Sequence, residues 1–169
     1  FSENPSGWLT ITGPHGSGKT HLASAIGHSI IKKGHLVLFV HVPDLVDHLR
    51  STFHPTSETS YSELFEQVKN TPFLILDDLG LQISSTWAQE KLRQIINHRY
   101  NLELPTIITI GDNLSKFDPY ILSRIKDDNN GKILDLGKTL SQTTANIGDI
   151  PVTMQKTMTF ENFVLGRQN

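Results

Sequence analysis

At 169 residues and a net charge of −2, the chain suits one compact α/β domain, leaves little room for a second, and exerts no overall electrostatic pull on nucleic acid. The absence of cysteine excludes disulfides, thiolate catalysis and Cys-type zinc sites, and agrees with a reducing, cytoplasmic setting. Apolar runs such as Leu36–Val40 and Phe73–Leu76 are too short to span a bilayer, so no membrane partner is expected, and an opening at Phe1 without a signal-peptide pattern reads as a piece of something longer.

Trp8–Thr12 is a short β-rich run that ends in a glycine-rich loop. From Lys19 to about Lys33 the apolar residues Leu22, Ile26 and Ile30 recur at helical spacing, and Gly34 supplies a stop. Leu36–Val42 reads as a strand buried on both faces. Pro43-Asp44 then opens a helix through Leu45, Val46, Leu49 and Phe53, and the Ser/Thr-rich stretch Ser51–Ser62 reads as a polar loop. Tyr61–Lys69 predicts a short amphipathic helix carrying Leu64, Phe65 and Val68. Phe73–Leu76 is a second buried strand, running into the acidic pair Asp77-Asp78. Ser85–Tyr100 predicts a long helix, Thr106–Ile110 a third buried strand, Pro119–Ile125 a short helix and Lys132–Leu136 a last strand. This alternation calls for a parallel sheet with right-handed crossovers, a three-layer α/β sandwich held within residues 1–138. From Thr139 to Pro151 the chain is polar, without period, and reads as linker.

Gly13-Pro14-His15-Gly16-Ser17-Gly18-Lys19-Thr20 matches G-x-x-x-x-G-K-[ST] in full and lies between a strand and a helix. Glycines let backbone N–H groups turn inward around a phosphate, and the following helix directs its N-terminus at the anion. Lys19 brings positive charge to the β- and γ-phosphates, Thr20 offers a hydroxyl to Mg²⁺, and His21 completes the nucleotide-binding run. At the end of the second buried strand, Asp77 is the candidate Mg²⁺ carboxylate and Asp78 the candidate general base for an attacking water. An acidic pair ending a strand can equally cap a loop. The phosphate loop upstream decides for the functional reading, with ATP and Mg²⁺ as the bound pair.

Five stretches together carry a family resemblance: Gly13–Ala23, Val42–Leu45, Leu74–Gly80, Trp87–Tyr100 and Pro105–Thr109. They are similar to the DnaC/IstB-like helicase loader branch of the AAA+ ATPases, related to the replication initiator DnaA. The resemblance runs over about residues 7–126, and the helix ending in Arg99-Tyr100 is its most particular part. It implies a five-stranded sheet of order 5-1-4-3-2 with nucleotide at the carboxyl ends of the strands. It also implies that Arg124, in Ser123-Arg124-Ile125, is an arginine finger for a neighbouring subunit's ATP, hence a homo-oligomer with an intersubunit site. A replicative helicase is the expected partner, and single-stranded DNA is a further candidate ligand of the stretch Asp44–Lys69. That stretch offers Arg50 and Lys69 against Asp44, Asp47, Glu58, Glu63 and Glu66, a poor balance for phosphate.

The chain departs from the family's pattern in places. Where relatives end the fourth strand in a polar water-positioning residue, this sequence has Gly111, with Thr109 and Asn113 as nearby substitutes. That leaves room for slow hydrolysis. No clear helical lid follows the core in the sequence. Thr159–Asn169 resembles the family segment that ordinarily precedes the phosphate loop; it starts a second copy, or the order is rotated and Val164 and Gly166 wall the adenine. Two other functions stand beside the helicase loader: a transposition accessory ATPase and a nucleotide-gated interaction module with little hydrolysis. The eight histidines, His41 among them, carry no metal-ligand spacing. Trp8 and Trp87 read as core or partner-facing aromatics, since no basic cluster surrounds them in sequence.

Overall fold

A computed structural model describes residues 6–51, 61–80, 85–111 and 117–137. Its elements are β1 (Trp8–Thr12), α1 (Lys19–Lys32), β2 (Val37–His41), α2 (Val42–Ser51), α3 (Tyr61–Asn70), β3 (Phe73–Asp77), α4 (Thr86–Asn101), β4 (Thr106–Ile110), α5 (Pro119–Ile125) and β5 (Gly131–Asp135). The five strands are parallel and lie in the order β2-β3-β4-β1-β5, the order the resemblance implies read from the other edge. Phe53, Asn113 and everything said of 139–169 lie outside the described residues.

Strand periodicity sorts the core into two layers. On one face Ile11, Val37, Phe73, Ile75 and Ile107 pack with Ala23 and Ile30 of α1. On the other, Leu38, Val40, Leu74, Leu76, Ile108 and Ile110 meet the apolar sides of α2, α3, α4 and α5. β3 and β4 are buried along their whole length, as strands covered on both faces must be. β5 is different: Ile133 and Leu134 are exposed on this edge strand.

Boundaries moved by a residue or so. β2 ends at His41, and Val42, predicted as strand, is already the first residue of α2. Leu36, predicted inside β2, is outside it and exposed. Ser85 is the cap of α4 rather than its first turn; its hydroxyl accepts the Ala88 N–H at 3.2 Å. Asp118 caps α5 by accepting the Tyr120 N–H at 2.8 Å, ahead of Pro119 in the first turn.

Arg99 explains why the end of α4 is so particular a sequence. The side chain is fully buried, and Nε donates to Thr106 Oγ1 at 2.9 Å. Nη1 donates to the carbonyls of Lys69 (3.0 Å) and Thr71 (2.8 Å), and Nη2 to that of Pro105 (2.8 Å). One side chain thereby ties the loop before β3 to the loop before β4. Burial pushes the guanidinium pKa down to about 10, so it stays charged at neutral pH.

Candidate functional site

The phosphate loop joins β1 to α1 at the carboxyl end of the sheet. Gly16 and Gly18 sit at φ +79° and +88°, in the left-handed region where a side chain is strained. Gly13 is constrained by contact as well: a Cβ there would lie 2.8 Å from Ser17 Oγ and 3.3 Å from Leu136 Cβ. The loop is thus seated against the chain leaving β5. Pro14, His15 and Gly16 are exposed, as is His21 in the first turn of α1. Lys19 Nζ donates to the loop's own carbonyls, Gly13 O at 2.9 Å and Pro14 O at 2.8 Å. Those bonds fold the ammonium group back over the loop.

Thr20 and Asp77, far apart in sequence, meet across the sheet. Thr20 Oγ1 lies 2.9 Å from Asp77 Oδ1 and 3.1 Å from Oδ2. Both donors are oxygens, one of them a carboxylate, a set that suits a hard divalent cation such as Mg²⁺. Asp77 is buried at the end of β3 while Asp78 turns outward at φ +56°, a conformation that Asp tolerates better than most residues. That reversal points two consecutive carboxylates in different directions, and two roles become available.

Thr109 holds the reversal in place. Its hydroxyl donates to Asp77 Oδ1 at 2.7 Å and accepts the Asp78 N–H at 2.9 Å, and its carbonyl accepts the Leu79 N–H at 2.9 Å. Thr109 is itself buried. The expectation that Thr109 substitutes at the water-positioning place therefore changes: its hydroxyl is committed to the acidic pair. Gly111 follows β4 with open space where a side chain would begin.

His41, one histidine among eight in the sequence, is placed beside the acidic pair. It ends β2 opposite Asp77 in register. Nδ1 stands 3.0 Å from Asp44 Oδ2 and Nε2 3.8 Å from Asp78 Oδ2. Only the sheet order, which makes β2 the neighbour of β3, reveals this placement. Among the described residues no group of three or more His, Asp or Glu side chains is arranged to hold a metal.

Arg124 lies away from these residues, on the short helix α5. Its guanidinium carbon is 4.7 Å from the ring centroids of both Tyr100 and Tyr120. Trp8 is a core residue, packed edge-on against Tyr100. Trp87 has no basic cluster around it in sequence, but a cation from another element reaches its ring. Arg50 of α2 lies 6.0 Å above its ring, and Lys91 lies 5.5 Å and 5.3 Å over the neighbouring rings of Tyr61 and Phe65.

Comparison with known proteins agrees with this geometry. The model of IstB-like ATP binding proteins matches residues 4–124. The replicative helicase loader DnaC of Buchnera aphidicola (subsp. Baizongia pistaciae) is 35% identical over 99 residues, 59% of this chain and 40% of that protein. A crystal structure of the DnaC helicase loader superposes with a TM-score of 0.67 at 32% identity, over 78% of this chain and 80% of that one. The initiator DnaA of Aquifex aeolicus, solved with AMPPCP, shares the fold with a TM-score of 0.63 at 24% identity, over 78% of this chain and 40% of that one. The chain spans less than half the length of the curated relative.

Proposed function

We propose, given that this chain belongs to the IstB-like ATP-binding family, that it binds ATP·Mg²⁺ at Gly13–Thr20 and Asp77 and hydrolyses it as part of a helicase-loader-like assembly in DNA replication. The observation that carries the proposal is the meeting of Thr20 with Asp77 beside a loop whose Gly16 and Gly18 hold left-handed torsions, at one end of a sheet with the expected order. No described helix is long and apolar enough to cross a membrane; we place its action in the cytoplasm, and a replicative helicase as partner follows the relatives' names.

Residues 13–21 are the nucleotide-binding run, with the loop's N–H groups taking the phosphates. Lys19 exchanges its two loop carbonyls for phosphate oxygens. Thr20 and Asp77 would hold Mg²⁺, which on binding neutralises charge developing on the phosphate oxygens. Asp78, turned out of the strand, takes the proton of the attacking water, so that ATP and water give ADP and phosphate. Thr109 fixes the divergence between the two carboxylates. Arg124 acts on the ATP of a neighbouring subunit, where its charge stabilises the transition state and makes turnover depend on assembly. The cations and rings around Trp87 give single-stranded DNA a local surface, although Asp47 and Glu66 partly neutralise Arg50 and Lys69.

Gly111 favours a second reading in which nucleotide acts mainly as a switch and turnover is slow. One experiment separates the two. If the protein is an ATPase, Asp78→Asn keeps ATP affinity while turnover falls by about 10²- to 10⁴-fold. Wild-type protein that binds ATP and shows no turnover above the Asp78→Asn level establishes the switch and overturns the ATPase.

A further inference from the structure

Arg124 is held in a way that an ordinary surface arginine is not. Its guanidinium lies 4.7 Å from the centroid of Tyr100, on α4, and 4.7 Å from that of Tyr120, on its own helix. The two rings are themselves anchored. Tyr100 donates its hydroxyl to Asp127, and its ring packs at 5.9 Å and 87° against the buried Trp8. Tyr120 donates its hydroxyl to Asn97 Oδ1 at 2.5 Å, which ties α5 back to α4. The guanidinium's own hydrogen bonds are poor by contrast. Nη2 lies 3.4 Å from the Tyr120 hydroxyl and Nη1 3.5 Å from Ser123 Oγ. Nε is buried with no partner among the described residues. Among the described residues Arg124 makes no ion pair.

Cation–π attraction to the two rings does not saturate the guanidinium's N–H donors, so although Nε is buried the terminal Nη groups, with only weak contacts, can take an anion. An arginine fixed by a carboxylate would have those groups occupied. We propose that Tyr100 and Tyr120 are positioning residues, a two-ring clamp that holds Arg124 as a preformed anion receptor for the terminal phosphate of ATP bound to another copy of this chain. The inference rests on the reading of Arg124 as an arginine finger and adds what makes it competent: the rings remove side-chain freedom that would otherwise be lost when the phosphate arrives.

The test uses the full-length protein in mixtures of two inactive variants. Arg124→Ala subunits keep an intact phosphate loop and lack the finger; Lys19→Ala subunits keep the finger and cannot use ATP. Mixing them restores turnover if the finger acts in trans. Replacing the second variant with Lys19→Ala/Tyr120→Leu is expected to lower that restored kcat by about tenfold, with KM for ATP unchanged because the working site is untouched. Tyr120→Phe in the same background keeps the ring and should restore turnover to within about twofold. Tyr100→Leu should repeat the loss, and because Tyr120 is the more exposed ring, its variant keeps the test valid if Tyr100→Leu fails to fold. Equal turnover with Tyr120→Leu and with the native tyrosine overturns the clamp and leaves the finger standing. An equal loss with Tyr120→Phe also overturns it, because the hydroxyl and not the ring face is then responsible. An Arg124→Ala protein that hydrolyses ATP alone at the wild-type rate removes the finger, and the clamp with it.

Discussion

Arg99 and Arg124 both adjoin Tyr100, one in sequence and one in space, and they make opposite use of the same guanidinium group. Arg99 is fully buried, and four of its N–H groups meet oxygens at 2.8 to 3.0 Å, three of them carbonyls in the last turn of α3 and in the loops before β3 and β4. Arg124 is held by ring faces, with two contacts at 3.4 and 3.5 Å and a buried Nε that meets nothing among the described residues. A cation whose donors are saturated inside the fold can only hold the fold together. One held between two rings, with its terminal nitrogens only weakly engaged, retains its capacity to bind an anion. The difference marks Arg99 as a structural tie and Arg124 as a candidate for chemistry.

The largest effect should come from the second arginine. Arg124→Ala is expected to reduce kcat by about 10³-fold or more while the thermal midpoint moves by only a few degrees. Steady-state turnover and a melting curve on the same sample check both halves. Arg99→Met should do the reverse. Leaving buried carbonyls and the Thr106 hydroxyl without their donor costs about 3–5 kcal/mol, read as a lower denaturant midpoint, while folded protein keeps its ATP affinity. If the two variants behave alike, the contrast between the arginines is wrong.

Thr109→Val carries the comparison into the acidic pair. It removes the bond to Asp77 and the acceptor for the Asp78 N–H, so a loss of about 1–3 kcal/mol is expected in chemical denaturation. Turnover should fall more than ATP affinity does. Ser85→Ala, which removes the N-cap of α4 and the 3.3 Å bond that Ser85 Oγ accepts from Arg50, should cost about 1 kcal/mol and leave kcat unchanged.

The smallest effect concerns pH. The Tyr100 hydroxyl, and then the Asn129 N–H, hold the Asp127 carboxyl below its ordinary value. A carboxylate depressed in the folded state stabilises above its unfolded pKa, and that stability is lost as pH falls through the folded one. Melting curves below about pH 4 should therefore drop more for wild type than for Asp127→Asn; parallel curves would show that this bond contributes nothing.

The phosphate loop, the buried strands and Asp77 were legible in the sequence because each depends on local rules: glycine torsions, apolar runs, and a carboxylate at a strand end. What was not legible depends on which elements become neighbours. Arg99-Tyr100 stood out as a family signature, yet nothing local to α4 announces that Arg99 reaches loops beside β3 and β4. His41 gained significance only when β2 fell next to β3. Trp87 has no basic cluster around it in sequence, and the packing of α2 brings Arg50 to its ring. Thr109 lies close to Gly111 in sequence, but its role in joining Asp77 to Asp78 follows from the pairing of β3 with β4.

Equilibrium titration of ATP into wild-type and Lys19→Ala protein, each with Mg²⁺ and with the metal chelated, reaches the central claim most directly. Wild type should bind more tightly when Mg²⁺ is present, and Lys19→Ala should bind at least about a hundredfold more weakly. Equal affinity in the two proteins, or indifference of the wild type to Mg²⁺, would contradict the assignment of Gly13–Thr20 and Asp77 as the nucleotide site.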